Sequence, residues 1–420
     1  MKSASNTPAT ALPERSLNDV TAGIDWARDD HAVCIVDGRG REFAATIVAH
    51  DSAGLRDLIV FLGKHGVAEV AIERPDGPVI DTLLAADLRV VVISPNQVKN
   101  LRSRYRSAGN KDDRFDAFVL ADTLRTDRAR LRPLQPDTPA TVALRRACRA
   151  RKDLVSHRVA VANQLRAHLR IVFPGGADLF AEIDSTISLA FLTRFTTQTQ
   201  ADWLTPKRLG DWLAKQGYSG RTDPEVMHAK ITTAARGIAG PEADALAGVT
   251  RAFVATLTTM VAQIKTLEKQ IDHQLTVHTD AHIFTSLPRS GRVRAARLLG
   301  EIGDCRARFP TPEALACLAG AAPSTRQSGK ARSVGFRWSC DKQLRDAVTD
   351  FAADSRHANP WAADLYDRAR ACGHDHPHAV RILARAWLYV IWHCWQDGTS
   401  YDPTRHHALQ RVLAQPNPAA

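Results

Sequence analysis

The first 125 residues carry an order of short segments that few folds accommodate. Ala22 to Glu42 reads as a β-hairpin: Gly23-Ile24-Asp25-Trp26-Ala27 opens it, His31-Ala32-Val33-Cys34-Ile35-Val36 continues it, and Asp37-Gly38-Arg39-Gly40 is a turn. Glu42 to Val48 alternates as a third strand. Asp51 to Gly63 places Leu55, Leu58, Ile59 and Leu62 at helical spacing, with Asp51 or Ser52 as the cap. Val67 to Ile72 is a short β-rich run ending at Glu73. A helix over Pro78 to Leu88, a strand over Arg89 to Ile93 stopped by Ser94-Pro95, and a helix over Lys111 to Leu124 follow. The order is β-β-β-α-β-α-β-α. Three strands able to pair antiparallel precede βα units, whose strands need a parallel crossover.

That order predicts a ribonuclease-H-like (RuvC-like) α/β domain over residues 21–136, after a disordered lead over 1–20. Residues 137–280 read as a helical, coiled-coil-like region. A long helix spans Ala140 to Val172 and is stopped by Pro174-Gly175-Gly176. A second spans Glu242 to His278, where Phe253, Leu257, Met260, Ile264, Leu267 and Ile271 recur at coiled-coil spacing. That seam suits packing within the chain or between two copies. Residues 281–402 are mostly helical, opening at the turn Leu287-Pro288-Arg289-Ser290-Gly291. Trp387, Ile391, Trp392 and Trp395 share one helical stripe and read as core. His374-Asp375-His376-Pro377-His378 reads as a surface loop, and 403–420 as a loose tail. The fold class is therefore α/β plus α.

At 44% hydrophobic and 24% charged, the chain has the balance of a globular protein. No apolar run reaches the length of a membrane helix and no signal-peptide core opens the chain, so no membrane partner is expected. The seven cysteines are scattered and form no C-x-x-C pair, which fits a reducing cytoplasm. The net charge of +11 points to a polyanion. Much of it is local. Arg145, Arg146, Arg149, Arg151, Lys152, Arg158, Arg166 and Arg170 face a single acid, Asp153, between Thr141 and Ile171. This one-signed helix reads as a nucleic-acid contact rather than a merely solvated face.

Acidic residues gather in the first third. Asp25 sits at the first strand, Glu73 closes the fourth, and Asp112, Asp113 and Asp116 lie at the start of a helix. If the first and fourth strands are neighbours, Asp25 and Glu73 converge, and a helix crossing the sheet brings Asp113 and Asp116 to them. Residues i and i+3 share a helix face. Clustered carboxylates repel unless cations neutralise them, and their hard oxygens suit Mg²⁺ or Mn²⁺. A pair of such ions, roughly 3.5–4 Å apart, clamps the attacking and leaving oxygens of a phosphodiester displacement.

Four segments, Gly23-Ile24-Asp25-Trp26-Ala27, Ile72-Glu73-Arg74-Pro75, Asn110-Lys111-Asp112-Asp113-Arg114-Phe115-Asp116-Ala117 and Gly320-Ala321-Ala322-Pro323-Ser324-Thr325-Arg326-Gln327-Ser328-Gly329-Lys330, give the chain a family likeness. It resembles the DEDD transposases of bacterial insertion sequences (the IS-one-ten and IS-eleven-eleven type), bridge-RNA-guided serine recombinases. The likeness runs from about Thr21 to Asp402. It implies that Asp25, Glu73, Asp113 and Asp116 form a metal-binding tetrad, with Asp112/Asp116 a local alternative pair. It implies that Ser328 is a nucleophile, whereas local sequence alone reads Ser328 as a phosphate contact in a basic loop. It also implies an element-encoded noncoding guide RNA, donor and target DNA as partners, and assembly as homodimer or homotetramer. Arg145, Arg146, Arg149, Lys152, Arg326 and Lys330 are the expected nucleic-acid contacts. Two rivals remain at this point: a metal-dependent junction-resolving nuclease that uses water, and a non-catalytic nucleic-acid-binding protein.

Overall fold

The central strand, β1 (Val20–Trp26), is buried along nearly its whole length, as a strand covered on both faces must be. A computed structural model describes residues 12–105, 112–329 and 331–414. Strands β2 (Asp30–Asp37) and β3 (Glu42–Ala49) continue antiparallel from β1, and β3 is a half-exposed edge. Helix α1 (Ser52–Lys64) follows, its N-terminal amides at Ala53 and Gly54 donating to the Asp51 carboxylate. Then come β4 (Glu69–Ile72), α2 (Pro78–Ala85), β5 (Arg89–Val92), α3 (Pro95–Tyr105) and α4 (Asp113–Thr126). The sheet order is β3-β2-β1-β4-β5, with β1, β4 and β5 parallel. The expected pairing of first and fourth strands is present. Ile24 lies opposite Ile72, so Asp25 and Glu73, each one residue further on, leave the sheet at the same end.

Helix α4 packs on β1 and β2 through small residues: Ala32, Cys34, Ala117 and Ala121. Gly23 makes this approach possible. A Cβ there would lie 2.1 Å from the Ala117 carbonyl oxygen and 2.5 Å from the Ala121 nitrogen. Both are helix backbone and cannot turn aside. On the far side of β4, buried Glu69 is held by Arg128 at 2.5 Å and Arg89 at 3.3 Å. These elements belong to one compact unit, residues 1–137 with 305–310.

The other unit, residues 138–304 with 311–420, is dominated by two long helices. Helix α5 (Pro139–Val172) is capped by the Thr138 hydroxyl and lies antiparallel to the Pro241–Val277 helix. Thr141 meets His278 at 2.8 Å, Arg151 meets Glu268 at 2.6 Å, and His168 meets Thr250 at 2.9 Å. Leu257, Ile264 and Ile271 of the expected seam are buried, whereas Phe253, Met260 and Leu267 are only partly so. By length and composition alone Pro241–Val277 is apolar enough to cross a membrane, which the sequence reading did not anticipate. Residues 177–240 form short helices around Phe173, Phe191 and Leu209.

Three local expectations are corrected. Ser328 lies not in a loop but at the end of β6 (Ser324–Ser328), which pairs with β7 (Ala331–Gly335). Every residue there is polar or exposed, so no hydrophobic period marks it, and the turn relies on Gly329 at φ +54°. His376 begins a helix (His376–Asp397) rather than sitting in a loop, since the Asp375 carboxylate caps it and Pro377 suits its first turn. The tail is ordered through Leu413, with Leu409 buried. Trp387 and Trp395 are core, their indole N–H groups donating to Ser355 and to the Gly303 carbonyl.

Gly23→Ala should lower stability by about 1–3 kcal/mol, the cost of forcing bulk into a packed interface. Hydrogen exchange should show lost protection in α4 as well as β1. Protection lost only in β1 would show that α4 does not depend on that approach.

Candidate active site

Asp25, the penultimate residue of β1, is 8% exposed, and Asp116, one turn into α4, is 1% exposed. Asp112 is spent on the helix itself: its carboxylate accepts the Arg114 N–H at 3.1 Å. Asp113 is therefore the first-turn carboxylate that turns to the cleft with Asp116. One oxygen from each of Asp25, Asp113 and Asp116 lies within 4.8 Å of the others. Glu73, half-buried, lines the same cleft, a space of about 340 Å³ shared with Trp26, Lys99 and Arg102. Asp113 is exposed, so the cluster opens toward solvent on that side.

Arg102 answers the crowding. Its Nε donates to Asp116 Oδ1 at 2.5 Å, and Nη2 donates to Oδ2. A carboxylate this buried is costly without a cation, and the guanidinium fork suits both oxygens at once. The sequence pattern suited Arg102, with Lys99, Arg104, Arg106 and Lys111, to gripping nucleic-acid backbone, and with α3 unseen it did not bring Arg102 to the carboxylates. The signal was present: Ser94-Pro95-Asn96-Gln97 is a capping box with proline at the helix start. Gln97 Oε1 accepts the Ser94 N–H at 3.1 Å.

The cleft mouth is stiffened from the sheet. Trp26 stacks on His31, with ring centroids 6.2 Å apart, and the Arg74 guanidinium covers Trp26 at 4.3 Å. His31 Nε2 and His50 Nδ1 share a hydrogen bond of 2.8 Å. Burial first, then His50, push the His31 imidazole down to about 4, so it is neutral at pH 7 and adds no charge beside the carboxylates. All-oxygen donors converging at this spacing fit a hard divalent cation.

Residues 22–174 match the family model of DEDD transposases of the IS110 type, and residues 281–367 match that of the transposase IS116/IS110/IS902 family. The mini-circle putative transposase for IS117 of Streptomyces coelicolor is 33% identical over 93% of this chain and 97% of its own length. The chain belongs to the IS110 family of insertion-sequence transposases. Two further relatives match most of its length. The IS900 uncharacterized 42 kDa protein of Mycobacterium paratuberculosis is 27% identical over 91% of this chain and 97% of its own. The IS116 uncharacterized 44.8 kDa protein of Streptomyces clavuligerus is 26% identical over 91% and 96%.

In this transposase Ser328 is exposed at the hairpin tip, and Arg326, two residues earlier, projects from the same face of β6. Lys330, with Asn110 and Lys111 of the N-terminal motif, lies outside the described residues. The basic helix α5 differs from its appearance in sequence. Arg149 pairs with Glu301 at 2.6 Å, Lys152 with Asp346 at 2.7 Å, and Arg151 with Glu268 at 2.6 Å. Arg158 pairs with Asp184 at 3.2 Å, and Arg145 donates to the Gly300 carbonyl at 2.5 Å. Arg146 and Arg170 are exposed.

This separates two kinds of arginine. Arg149→Ala leaves the Glu301 carboxylate, only 5% exposed, without its partner. It should cost about 2 kcal/mol in urea unfolding, less than a fully buried pair because Arg149 keeps some solvent. Arg146→Ala should leave the unfolding curve unchanged. Equal losses for both would show that the Arg149–Glu301 pair adds nothing to the fold.

Proposed function

We propose that this transposase exchanges DNA strands through a covalent phosphoserine link, guided by a noncoding RNA encoded with the element. The observation that carries the reading is the convergence of Asp25, Asp113 and Asp116, with Glu73 in the same cleft, in a chain whose family acts on DNA. The sheet order, three antiparallel strands followed by parallel β4 and β5, supports a ribonuclease-H-like, RuvC-like catalytic domain over residues 21–136. We assign the helical arm to 137–280 and delivery of the serine to 281–402.

Asp25, Glu73, Asp113 and Asp116 are the residues that hold Mg²⁺ or Mn²⁺. When bound, the cation polarises the scissile phosphate and offsets charge in the transition state. Arg102, which pairs with Asp116 in the cleft, would meet the scissile phosphate there. The Ser328 hydroxyl attacks phosphorus. A serine Oγ–P bond forms, the P–O bond to one DNA strand breaks, and the serine proton ends on the released strand hydroxyl. A hydroxyl of a second strand then attacks the phosphoserine, restoring the serine and joining the strands. One phosphodiester is exchanged for another, so the sequence requires no ATP. Arg326 and Lys330 hold phosphates beside the serine, and exposed Arg146 contacts nucleic-acid backbone. Arg145, engaged by the Gly300 carbonyl, and Arg149 and Lys152, paired with carboxylates, add less to that surface. The guide RNA delegates sequence reading to base pairing, leaving the protein to grip backbone and shape. The outward face of Pro241–Val277, not covered by α5, is the surface assigned to homodimer or homotetramer assembly. With its seven free thiols, the protein works in the reducing cytoplasm.

Ser328→Ala and Asp25→Ala should both abolish strand transfer, and only the parent should give a covalent protein–DNA adduct on a denaturing gel. Cutting retained by Ser328→Ala would make water the nucleophile and the protein a hydrolytic nuclease. Binding without metal-dependent chemistry in any version would leave a non-catalytic binder.

The metal assignment has its own readout. In EDTA, Arg102→Met should lower the thermal midpoint, because Asp116 loses its cation. Mn²⁺ should then raise the variant's midpoint by more than it raises the parent's. An equal Mn²⁺ shift in both proteins would separate Arg102 from the metal site.

A further inference from the structure

The helical unit buries many of its large aromatics, but two tryptophans stand out, Trp203 at 56% exposure and Trp338 at 71%. Trp387 and Trp395 are wholly buried and Trp361 is 8% exposed, yet Trp338 is 71% exposed. It lies just beyond β7, next to Phe336 at 37% exposure. The rings stand edge to face, 6.4 Å apart. Two side chains of the His376–Asp397 helix hold them: the His378 ring meets Phe336 edge to face at 5.2 Å, and the Arg381 guanidinium carbon lies 3.7 Å from the Phe336 ring centroid and 5.8 Å from that of Trp338. Such a contact orients a ring by cation–π attraction and leaves its other face free.

Arg381 is itself incompletely satisfied. Its Nη1 is shut from water and has no acceptor among the described residues. Burial and the neighbouring Arg345 both disfavour its charge, with Cys340 and Asp375 opposing them weakly. A buried guanidinium N–H without an acceptor is costly, and a guanidinium fork pairs well with phosphate oxygens. Arg385 lies one helical turn on, on the same face. Phe336, Arg381 and Arg385 line a cleft of about 480 Å³ whose lining contains no carboxylate. Trp338 and Arg345 line a second cleft, of about 590 Å³. Its two carboxylates are already engaged: Asp346 by Lys152 at 2.7 Å and Asp350 by Arg297 at 3.0 Å.

We propose that Phe336, Trp338, Arg381 and Arg385 form a binding site for an unpaired DNA strand, with a base stacked on Trp338 and phosphates at the arginines. Exposed aromatics supply stacking that any base accepts, and the cationic clefts on either side track the backbone. A paired duplex hides its base faces, so it gains the phosphate contacts without the stacking. A protein partner that covered the rings with apolar surface would leave the carboxylate-free cleft of Arg381 and Arg385 without counter-charge. The site does not depend on Ser328 being the nucleophile.

The test uses the full-length protein in EDTA, where no strand is cut, and fluorescence anisotropy of labelled oligothymidylate, a duplex of equal length and oligouridylate. Trp338→Ala should weaken oligothymidylate binding roughly 5- to 100-fold, the range of one base–aromatic stack, and duplex binding less than twofold. Trp338→Phe should recover most of the loss. Arg381→Gln should flatten the salt dependence of strand binding by about 0.7 in log–log slope, one phosphate's share. Unchanged oligothymidylate affinity in Trp338→Ala overturns the proposal. So does equal weakening of strand and duplex, a loss confined to oligouridylate, or a change of elution volume with affinity intact, which would mark a contact between copies. Because binding is read without chemistry, absence of a Ser328 adduct would leave this result standing, and failure here would leave the adduct test standing.

Discussion

Carboxylates repel at short range, and the N-terminal unit is built to hold three of them together nonetheless. The parallel register of β1 and β4 delivers Asp25 and Glu73 to one end of the sheet. The missing side chain at Gly23 lets α4 lie close against β1, which brings Asp116 within reach of Asp25. Asp112 takes the capping duty that would otherwise fall to Asp113. Each device is backbone or cap geometry, set before any charge is counted. The electrostatic cost is then met by Arg102, whose pairing with buried Asp116 keeps the cluster folded. A site that recruits a guanidinium for this purpose is one in which cation binding and stability are linked.

Much of this was legible in the chain. Alternating and continuous apolar runs marked β1 to β5 in order, because strands in a two-sided core must declare themselves in hydrophobicity. The carboxylates were visible as residue types at strand ends and at i, i+3 on a helix. Whether Asp112 or Asp113 faced the cleft was not, since both sit at the helix start and only the cap hydrogen bond distinguishes them. Helix α3 was missed although its capping box was present, because its interior is mostly polar and its apolar stripe is only three residues, Val98, Leu101 and Tyr105. The β6–β7 hairpin escaped for a related reason: backbone pairing alone carries it, with no buried face to write a period into the sequence.

Charge was the least legible property. Along α5 the sequence shows eight cations and one acid. The acids that answer them, Asp184, Glu268, Glu301 and Asp346, lie far away in the chain or beyond the next helix. Local charge counting therefore sees none of the distant acids that pair with this helix. Long-range pairing removes most of α5 from the supply of free positive charge. On α5, Arg146 and Arg170 stay exposed; elsewhere the exposed cations include the hairpin arginines Arg326 and Arg332, and the Arg381 guanidinium meets aromatic rings.

The placement of Ser328 bears on which chemistry suits it. A hydrolytic site gains by enclosing its water against the carboxylates. A serine that must form and then release a bond to a long polymer gains by standing where two strands in turn can approach. An exposed hairpin tip, followed by a glycine with no side chain to obstruct the phosphate, meets that second requirement. Exposure also means that the hairpin itself does little to activate the hydroxyl, so the proposed reaction must draw its electrostatic driving force from cations gathered around the phosphate. On the proposed reading, the acids would concentrate positive charge at the phosphate, and the serine would react only with a phosphate so held.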